Sequence, residues 1–251
     1  MSSVPFRVDG LKALVTGGAS GIGEATCRAL TAAGATVTIA DVDEARARSL
    51  AKELAGSTVC VLDITDEPAV QRALAGQPID ILVNNAGIGL VGNIEETAAA
   101  DFRKLLQVNV EGTYLVTRAA LPQLLSDTSK GIIVNVGSVA GLVGIRRRFA
   151  YCATKGAVIA LTRQLALDYA GRLRVNCVCP GTVDTPFVEA YLEKFHKHEK
   201  DAVREQLKAR HPMNRLARPD EIAHMIVYLS SPEAEFITGS IMTIDGGLTA
   251  A

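Results

Sequence analysis

The chain has 251 residues and no tryptophan, and aromatic residues make up only 4% of it. No stretch approaches the roughly 18 consecutive apolar residues of a membrane-spanning helix, and no apolar run follows a basic segment near the N-terminus, as in a secretory signal. Lysine and arginine number 26 against 27 acidic residues, so the basic excess typical of nucleic-acid binding is missing. We therefore expect a cytoplasmic protein that binds neither membrane nor nucleic acid.

Cysteine and histidine also lack the spacing of a metal or disulfide framework. No C-x-x-C pair is present and most of the cysteines lie in apolar runs, which predicts buried free thiols. His196 and His198 share a charged segment but have no further ligands at zinc spacing, so a solvated surface is the simpler interpretation and we expect no metal. The five cysteines are Cys27, Cys60, Cys152, Cys177 and Cys179.

Short apolar runs rich in β-branched residues alternate with stretches of helical spacing. Near-continuous apolar character is typical of strands covered on both faces. The alternation predicts a parallel sheet with right-handed crossovers. The predicted strands are residues 13–16, 36–40, 59–62, 81–84, 132–136, 174–178 and 241–244, and two of the predicted helices cover residues 23–33 and 153–169.

The chain contains no linker rich in proline, glycine or serine and no internal repeat. We expect one α/β domain over residues 1–251, a doubly wound seven-stranded sheet with helices on both faces. Charge density rises over residues 189–211, where apolar residues remain at intervals. Residues 187–212 are therefore interpreted either as a solvated helix pair or as a helical lid beyond the carboxyl ends of the strands, where such sheets bind ligands.

A glycine-rich turn, Thr-Gly-Gly-Ala-Ser-Gly-Ile-Gly at residues 16–23, follows the first predicted strand and opens a helix. Such a turn lets the backbone approach a pyrophosphate at a helix N-terminus, where free N–H groups and the helix dipole favour an anion. The turn predicts a dinucleotide site that includes Gly17, Ser20, Gly21, Ile22 and Gly23.

Asp41 ends the second predicted strand, a little over twenty residues beyond the glycine turn. A carboxylate there can accept both adenosine ribose hydroxyls and would repel a 2′-phosphate. The turn offers Ala19 and Ser20, and no Arg or Lys that could compensate, so electrostatics favour NAD over NADP. The alternative is an aspartate that serves only the turn after the strand.

Tyr151 and Lys155 lie four residues apart in a stretch of helical spacing, so they project from one face one turn apart. An ammonium near a phenol stabilises the phenolate and allows proton exchange with an alcohol or carbonyl oxygen. Ser138, at the end of the strand over residues 132–136, can hydrogen-bond the same oxygen.

These motifs, with Asn-Asn-Ala-Gly at 84–87, Asn-Val-Glu-Gly at 109–112 and Pro-Gly at 180–181, resemble the short-chain dehydrogenase/reductase family along nearly the whole chain. The resemblance implies a Rossmann fold and NAD-dependent hydride transfer, with Tyr151 exchanging the proton, Lys155 also holding the nicotinamide ribose, Ser138 orienting the substrate and Asn109 anchoring a proton-relay water. It further implies a homotetramer assembled in part through the C-terminal strand.

The resemblance also assigns the remaining cofactor contacts. Asp63 and Ile64 would flank the adenine, and residues 180–185 would meet the nicotinamide carboxamide. Asn85 has an alternative role in pinning neighbouring strands, which we favour. The residues implied in cofactor contacts beyond the glycine turn and Asp41 are Asp63, Ile64, Asn85, Ala86, Gly87, Tyr151, Lys155, Pro180, Gly181, Val183 and Thr185.

Three arginines at 146–148 precede Tyr151, and guanidinium groups match carboxylates. We expect Arg148 to face the substrate and Arg146 and Arg147 to form a solvated loop. Their surroundings resemble a branch that acts on hydroxy acids, in which arginines matching Arg148 and Arg210 meet the carboxylate. The expected substrate is thus a small anion such as a 2-keto-3-deoxy-L-sugar acid (L-rhamnonate or L-fuconate derivative) or 3-hydroxybutyrate.

Two alternatives remain at this point. A neutral alcohol or hydroxysteroid enzyme would need an apolar pocket, for which the available aromatic residues are Phe149, Phe187, Tyr191 and Phe195. A dinucleotide-binding regulator without catalysis would not need the tyrosine and lysine, which are both present.

Overall fold

The computed structural model describes residues 5–126, 131–195 and 197–250. Strands and helices alternate along them. The strands are β1 (Lys12–Thr16), β2 (Thr36–Asp41), β3 (Thr58–Val61), β4 (Ile81–Asn84), β5 (Ile132–Val136), β6 (Arg174–Pro180) and β7 (Ile241–Ile244). The helices are α1 (Gly21–Ala32), α2 (Glu44–Glu53), α3 (Glu67–Leu74), α4 (Ala99–Leu106), α5 (Gly112–Leu124), α6 (Phe149–Asp168), α7 (Pro186–Phe195), α8 (Lys200–Ala209) and α9 (Pro219–Ser230).

The seven strands form one parallel sheet in the order β3-β2-β1-β4-β5-β6-β7. β1 lies between β2 and β4, so the strand order reverses there, and a doubly wound sheet binds ligands in the crevice at such a reversal, beyond the carboxyl ends of the strands. The expected α/β Rossmann architecture is confirmed.

Successive residues of the central strands point to opposite faces of the sheet, and each face has its own apolar layer. Ala13 and Val15 of β1 belong to a cluster with residues of α1 and α9, whereas Leu14 packs with Leu82 and residues of α3 and α5. Burial on both faces explains the unbroken apolar runs of these strands.

All seven predicted strands are present, with ends displaced by at most two residues. The prediction for α6 was wrong at its start, because the helix begins at Phe149 and not at residue 153. Arg148 precedes it without a side-chain capping bond, so the sequence has no capping signal there. Tyr151 therefore lies in the first turn of α6.

Helices α7 and α8 form a separate unit beside the carboxyl edge of the sheet, which we call the lid. They share a small apolar cluster with residue 216. Arg204 of α8 pairs with Asp184 at 2.9 Å and with Glu189 of α7, so much of the high charge of this segment is paired within it. The cluster consists of Val188, Leu192, Val203, Leu207 and Leu216.

A π-helical turn, Gln107–Glu111, joins α4 to α5. Single π turns inside helices are found at functional sites more often than elsewhere. In the part of the chain described, no helix combines the length and apolar character needed to cross a membrane.

Candidate active site

A cavity of about 800 Å³ opens at the carboxyl edge of the sheet, where β1 meets β4. Almost all of the site residues predicted from the sequence line it. Gly23 and Asn109 do not, and both lie behind the wall. The predicted residues on the wall are Gly17, Ser20, Gly21, Ile22, Asp41, Asp63, Ile64, Asn85, Ala86, Gly87, Ser138, Arg148, Tyr151, Lys155, Pro180, Gly181, Val183, Thr185 and Arg210.

The glycine turn needs glycine for two physical reasons. Gly17 has a φ of 60°, and a Cβ there would lie 2.9 Å from the Cα of Ala86. At Gly23 a Cβ would lie 2.0 Å from the carbonyl oxygen of Gly17, so the first turn of α1 packs directly against the strand end. Ser20 precedes α1 and makes no capping bond with its side chain. The turn thus brings the N-terminus of α1 to the cavity.

Asp41 is held by two backbone amides at the end of β2. Its Oδ2 accepts a hydrogen bond from the N–H of Ala19 at 2.9 Å, and its Oδ1 accepts one from Asp43 at 3.0 Å. Each carboxylate oxygen can accept a further bond. The side chain therefore links the glycine turn to β2 and still presents acceptors to the cavity.

Asn85 pins the end of β1. Its Nδ2 donates to the carbonyl oxygens of Thr16 and Gly17, both at 3.0 Å, which is the strand-pinning arrangement favoured from the sequence. Its backbone N–H donates to Thr16 Oγ1 at 3.1 Å. The contacts hold the turn after β1 against the turn after β4.

Tyr151, Lys155 and Ser138 meet where β5 ends beside α6. The Lys155 Nζ donates to the carbonyl oxygen of Val136 at 2.8 Å and lies 5.8 Å from the centroid of the Tyr151 ring. Lys155 is only 6% exposed. Ser138 Oγ accepts from the N–H of Ala140 at 3.1 Å, which fixes the side chain at the strand end. The Lys155 ammonium and the Ser138 hydroxyl thus lie at the same part of the cavity wall as the Tyr151 phenol.

Asn109 lies in the π-helical turn and joins three segments behind the cavity. Its Oδ1 accepts from the N–H of Ile88 at 2.8 Å, and its Nδ2 donates to the Ile88 carbonyl at 2.9 Å and to Thr154 Oγ1 at 3.1 Å. The side-chain amide hydrogens are thus both used. A Cβ on Gly87 would lie 3.2 Å from Asn109 Oδ1 and 3.6 Å from Lys155 Nζ, so the amide stands close to the ammonium.

Arg148 faces the cavity, as predicted. Its guanidinium carbon lies 4.6 Å from the centroid of the Tyr191 ring in the lid, and Nη1 donates to the Leu90 carbonyl at 3.3 Å. Burial lowers the pKa of Arg148, and the positive charge of Arg210 acts in the same direction, against the opposing effect of Tyr191. The positive charges of Arg148 and Arg210 therefore repel each other.

The two other arginines of the triplet separate. Arg147 turns away and pairs with Glu96 at 3.0 Å. Arg146 is exposed, yet it also lines the cavity, so its interpretation as only part of a solvated loop was incomplete. The sequence offered no means of telling the two apart, because the difference depends on Arg147, whose φ of 58° reorients the loop.

Three residues of the lid, Phe187, Tyr191 and Leu207, line the cavity. A Cβ on Gly89 would lie 2.5 Å from the Cζ of Phe187, so the phenyl ring rests on the backbone after β4. Of the four aromatic residues considered for an apolar pocket, Phe149 stacks on Phe102 outside the cavity lining, and Phe195 packs against Tyr191.

His211 is a positioning residue that sequence reasoning missed. It is 3% exposed, its Nδ1 lies 2.6 Å from the Asp245 carbonyl oxygen, and its Nε2 accepts from the N–H of Thr182 at 3.3 Å. This pattern places the proton on Nδ1 of a neutral ring. The partners are 34 and 29 residues away along the chain, so no local pattern could have revealed them.

All five cysteines are free thiols. Cys27, Cys177 and Cys179 are buried, and the other two are half-buried, which departs from the expected full burial. Burial raises the pKa of Cys27 to about 12. No cluster of three or more metal-ligating side chains occurs among residues 5–126, 131–195 and 197–250. His196 lies outside the described residues.

Comparisons with known proteins agree with this geometry. The family model described as enoyl-(acyl carrier protein) reductase matches residues 17–249. The chain is 43% identical over 231 residues to the inactive 2-(S)-hydroxypropyl-CoM dehydrogenase 2 of Xanthobacter autotrophicus, covering 89% of this chain and 99% of the relative. It is 38% identical over 244 residues to the 2-keto-3-deoxy-L-fuconate dehydrogenase of Xanthomonas campestris, covering 96% and 81%.

Among solved structures, the aldohexose dehydrogenase of Thermoplasma acidophilum superposes with a TM-score of 0.88 at 32% identity, covering 98% of this chain and 96% of that one. The shared fold extends over nearly the whole of both chains. The chain belongs to the short-chain dehydrogenase/reductase family of oxidoreductases.

Proposed function

We propose that the protein is an NAD-dependent dehydrogenase that oxidises a secondary alcohol on a small carboxylate-bearing substrate, such as a 2-keto-3-deoxy-L-sugar acid. The observation that carries the proposal is that Tyr151, Lys155 and Ser138 share one cavity with Arg148 and Arg210. The first three groups serve proton exchange with an alcohol, and the arginines serve an anion.

The cavity fits a dinucleotide with an unmodified adenosine ribose. The close approach at Gly17 and Gly23 leaves no room for side chains beside the N-terminus of α1, where a pyrophosphate is favoured. Asp41 presents a carboxylate at the end of β2, and no arginine or lysine lies within the turn at residues 16–23 to bind a 2′-phosphate. Both features support NAD over NADP.

When bound, NAD supplies the acceptor for the hydride that leaves the alcohol carbon. Tyr151 as phenolate takes the hydroxyl proton, and Ser138 Oγ hydrogen-bonds the same oxygen. Lys155, held by the Val136 carbonyl, stabilises the phenolate through its positive charge. Asn109 positions the Ile88 backbone and α6 through Thr154 and does not itself line the cavity.

Arg148 and Arg210 bind the carboxylate of the substrate in this proposal. Arg148 immediately precedes α6, three residues before Tyr151, and Arg210 follows the last turn of α8. A carboxylate between them would offset the repulsion that the two guanidinium groups exert on each other. The fuconate-derived name of one relative supports the same substrate class.

The test is initial-rate NAD reduction with 2-keto-3-deoxy-L-rhamnonate, 2-keto-3-deoxy-L-fuconate, 3-hydroxybutyrate and a neutral secondary alcohol, repeated with NADP. We expect turnover of an acid with NAD and little with NADP. Turnover of the neutral alcohol alone would contradict the role of the arginines. A preference for NADP would contradict the role of Asp41.

A role without catalysis is the alternative from another class, because one relative is named as an inactive dehydrogenase. This chain, however, keeps the serine, tyrosine and lysine and places all three in the cavity. NAD binding without turnover across a broad panel of alcohols would favour that alternative.

A further inference from the structure

The charged residues that line the cavity are divided between its two ends. The acidic ones among the described residues are Asp41 and Asp63, at the ends of β2 and β3 on one side of the sheet. The basic ones are Arg146 and Arg148 before α6, Lys155 within α6, and Arg210 after α8. The sheet order places β2 and β3 at the opposite side from β5 and β6, so the substrate end carries positive charge alone.

None of these three arginines has a carboxylate partner within the described residues. Arg148 contacts the Tyr191 ring and the Leu90 carbonyl, which leave its charge uncompensated. Arg147, the neighbour of both, shows the contrast, because it turns away from the cavity and pairs with Glu96 at 3.0 Å. A protein surface normally disperses unpaired like charges, and their concentration in a cavity attracts ligands of opposite sign.

A bound dinucleotide does not remove this excess. Its pyrophosphate lies at the glycine turn in the function proposed above, next to β1, whereas Arg146 precedes α6 and Arg210 follows α8. A substrate with one carboxylate would compensate one of three guanidinium groups. The exposed Arg146 guanidinium would then have no anion of the substrate beside it, and its charge at the cavity wall attracts a second one.

We propose that the substrate carries at least two negative charges, one acidic group held by Arg148 and Arg210 and a second charge held by Arg146. The inference rests on the proposed function and narrows its substrate class from alcohols with one carboxylate, such as the sugar acids named above, to those that carry a second acidic group. Arg146 then determines specificity between dianions and monoanions. Arg146 is exposed at the cavity wall, so we expect its replacement to leave the fold intact.

Malate and 3-hydroxybutyrate form a matched pair of probes, since they differ by a carboxylate in place of a methyl group on the hydroxyl-bearing carbon. Glycerol 3-phosphate adds a probe with both charges on one group. The dissociation constant of each, in both enantiomers, is measured by calorimetry with the NAD-saturated protein and with its Arg146→Ala and Arg147→Ala variants. Arg147→Ala is the control because it removes the same charge from the same loop outside the cavity.

We expect a dianionic probe to bind the wild-type protein about tenfold more tightly than 3-hydroxybutyrate, the range of one charge-assisted hydrogen bond. Arg146→Ala should abolish that advantage and leave 3-hydroxybutyrate within about twofold, whereas Arg147→Ala should change neither. Preference for malate or for glycerol phosphate tells whether the two charges sit on separate groups or on one.

Three results would overturn the inference: no advantage of either dianion in the wild-type protein, equal effects of the two variants, or an equal loss for mono- and dianions in Arg146→Ala. Failure of the proposed function is a separate outcome. Selective binding of dianions with no NAD reduction by any acid would refute the dehydrogenase role alone. NAD reduction by 3-hydroxybutyrate without a preference for dianions would refute the inference alone.

Discussion

The contacts that hold individual side chains at the site differ in how well the sequence predicts them. The four-residue spacing of Tyr151 and Lys155 is readable from the sequence, because a helix places such residues on one face. The bond from Lys155 to the Val136 carbonyl depends on the approach of β5 to α6. The hydrogen bond between Asn109 and Ile88 also depends on the fold, because Asn109 lies in a π-helical turn that no sequence periodicity predicts.

Replacement of Tyr151 by phenylalanine removes the phenol that exchanges the proton and leaves the ring packed. We expect kcat for the best substrate to fall by about 10²–10⁴, the range for a lost general acid or base. The dissociation constant for NAD, measured by calorimetry, should change little. Tyr169→Phe is the matched control, because Tyr169 ends the same helix far from Lys155. Retention of turnover in Tyr151→Phe would refute its catalytic role.

Replacement of Asp41 by serine removes a charge that would repel a 2′-phosphate and accept ribose hydroxyls. We expect the KM for NAD to rise by about tenfold or more, as for lost hydrogen bonds to a charged group, and the KM for NADP to fall. Steady-state rates with NAD and with NADP measure this change in cofactor preference. Asp43→Ser, two residues further along, keeps the Asp41 carboxylate and should leave the preference unchanged. An unaltered NAD to NADP ratio in Asp41→Ser would show that the carboxylate serves only the turn.

At the scale of elements, the presence of a strand or helix was easier to predict from the sequence than the residues at which it begins and ends. Strand runs such as β4 and β5 are apolar throughout because both sheet faces are covered, and this pattern identified them. The predicted start of α6 was too late in the sequence, because Arg148 supplies no capping side chain that would mark the true start. The sequence shows an amphipathic segment at the position of the lid. The contact between Phe187 and the backbone at Gly89 could be found only from the folded structure.

Helix α9 begins with an ion pair that makes its stability depend on pH. Glu221 accepts two bonds from Arg215, each at 2.7 Å, and one from the backbone N–H of Arg218 at 2.7 Å. The bonds from Arg215 and then from Arg218 lower the pKa of Glu221 to about 2. A pKa lowered by folding contributes stability at pH above about 4.5, and this contribution is lost as the pH falls towards 2.

Glu221→Gln should therefore lower the free energy of unfolding by about 1 kcal/mol at pH 7, the upper range for an exposed pair. The difference from the wild-type protein should shrink as the pH falls below about 4.5. Urea unfolding at pH 7, 5 and 4 measures it. Glu205→Gln, in the exposed pair with Lys208, serves as control and should change stability less. A deficit independent of pH would argue against the ion pair as its source.

At the scale of the molecule, the alternation of strands and helices predicts the seven-stranded parallel sheet with helices on both faces, because right-handed crossovers leave few topologies, whereas the strand order came from the structure. What sequence could not provide was the distribution of charge around the cavity. The separation of Arg146 from Arg147 and the link between His211 and Thr182 depend on chain segments brought together only by folding.

Assembly into a homotetramer remains a prediction. Large apolar side chains are exposed near the C-terminal strand, where Phe236 is fully exposed and Leu167 is 73% exposed. We expect a solution mass near four times 26.5 kDa by light scattering. Phe236→Asp should lower that mass, whereas Ile94→Asp, an exposed apolar position in another loop, should not. A monomer at micromolar concentration would contradict the prediction.

The bonds of His211 have a thermodynamic consequence. The ring of His211, the residue after Arg210, hydrogen-bonds the backbone of Thr182, which lies in the segment expected to meet the nicotinamide. It therefore links that segment to Arg210 at the end of α8. We expect a shift of either segment to move the other, so that occupancy at one site changes the affinity at the second. Linkage requires this factor to be reciprocal: if NAD tightens substrate binding by a given ratio, substrate tightens NAD binding by the same ratio. We expect this coupling through one ring to stabilise the ternary complex by the same factor whichever ligand binds first.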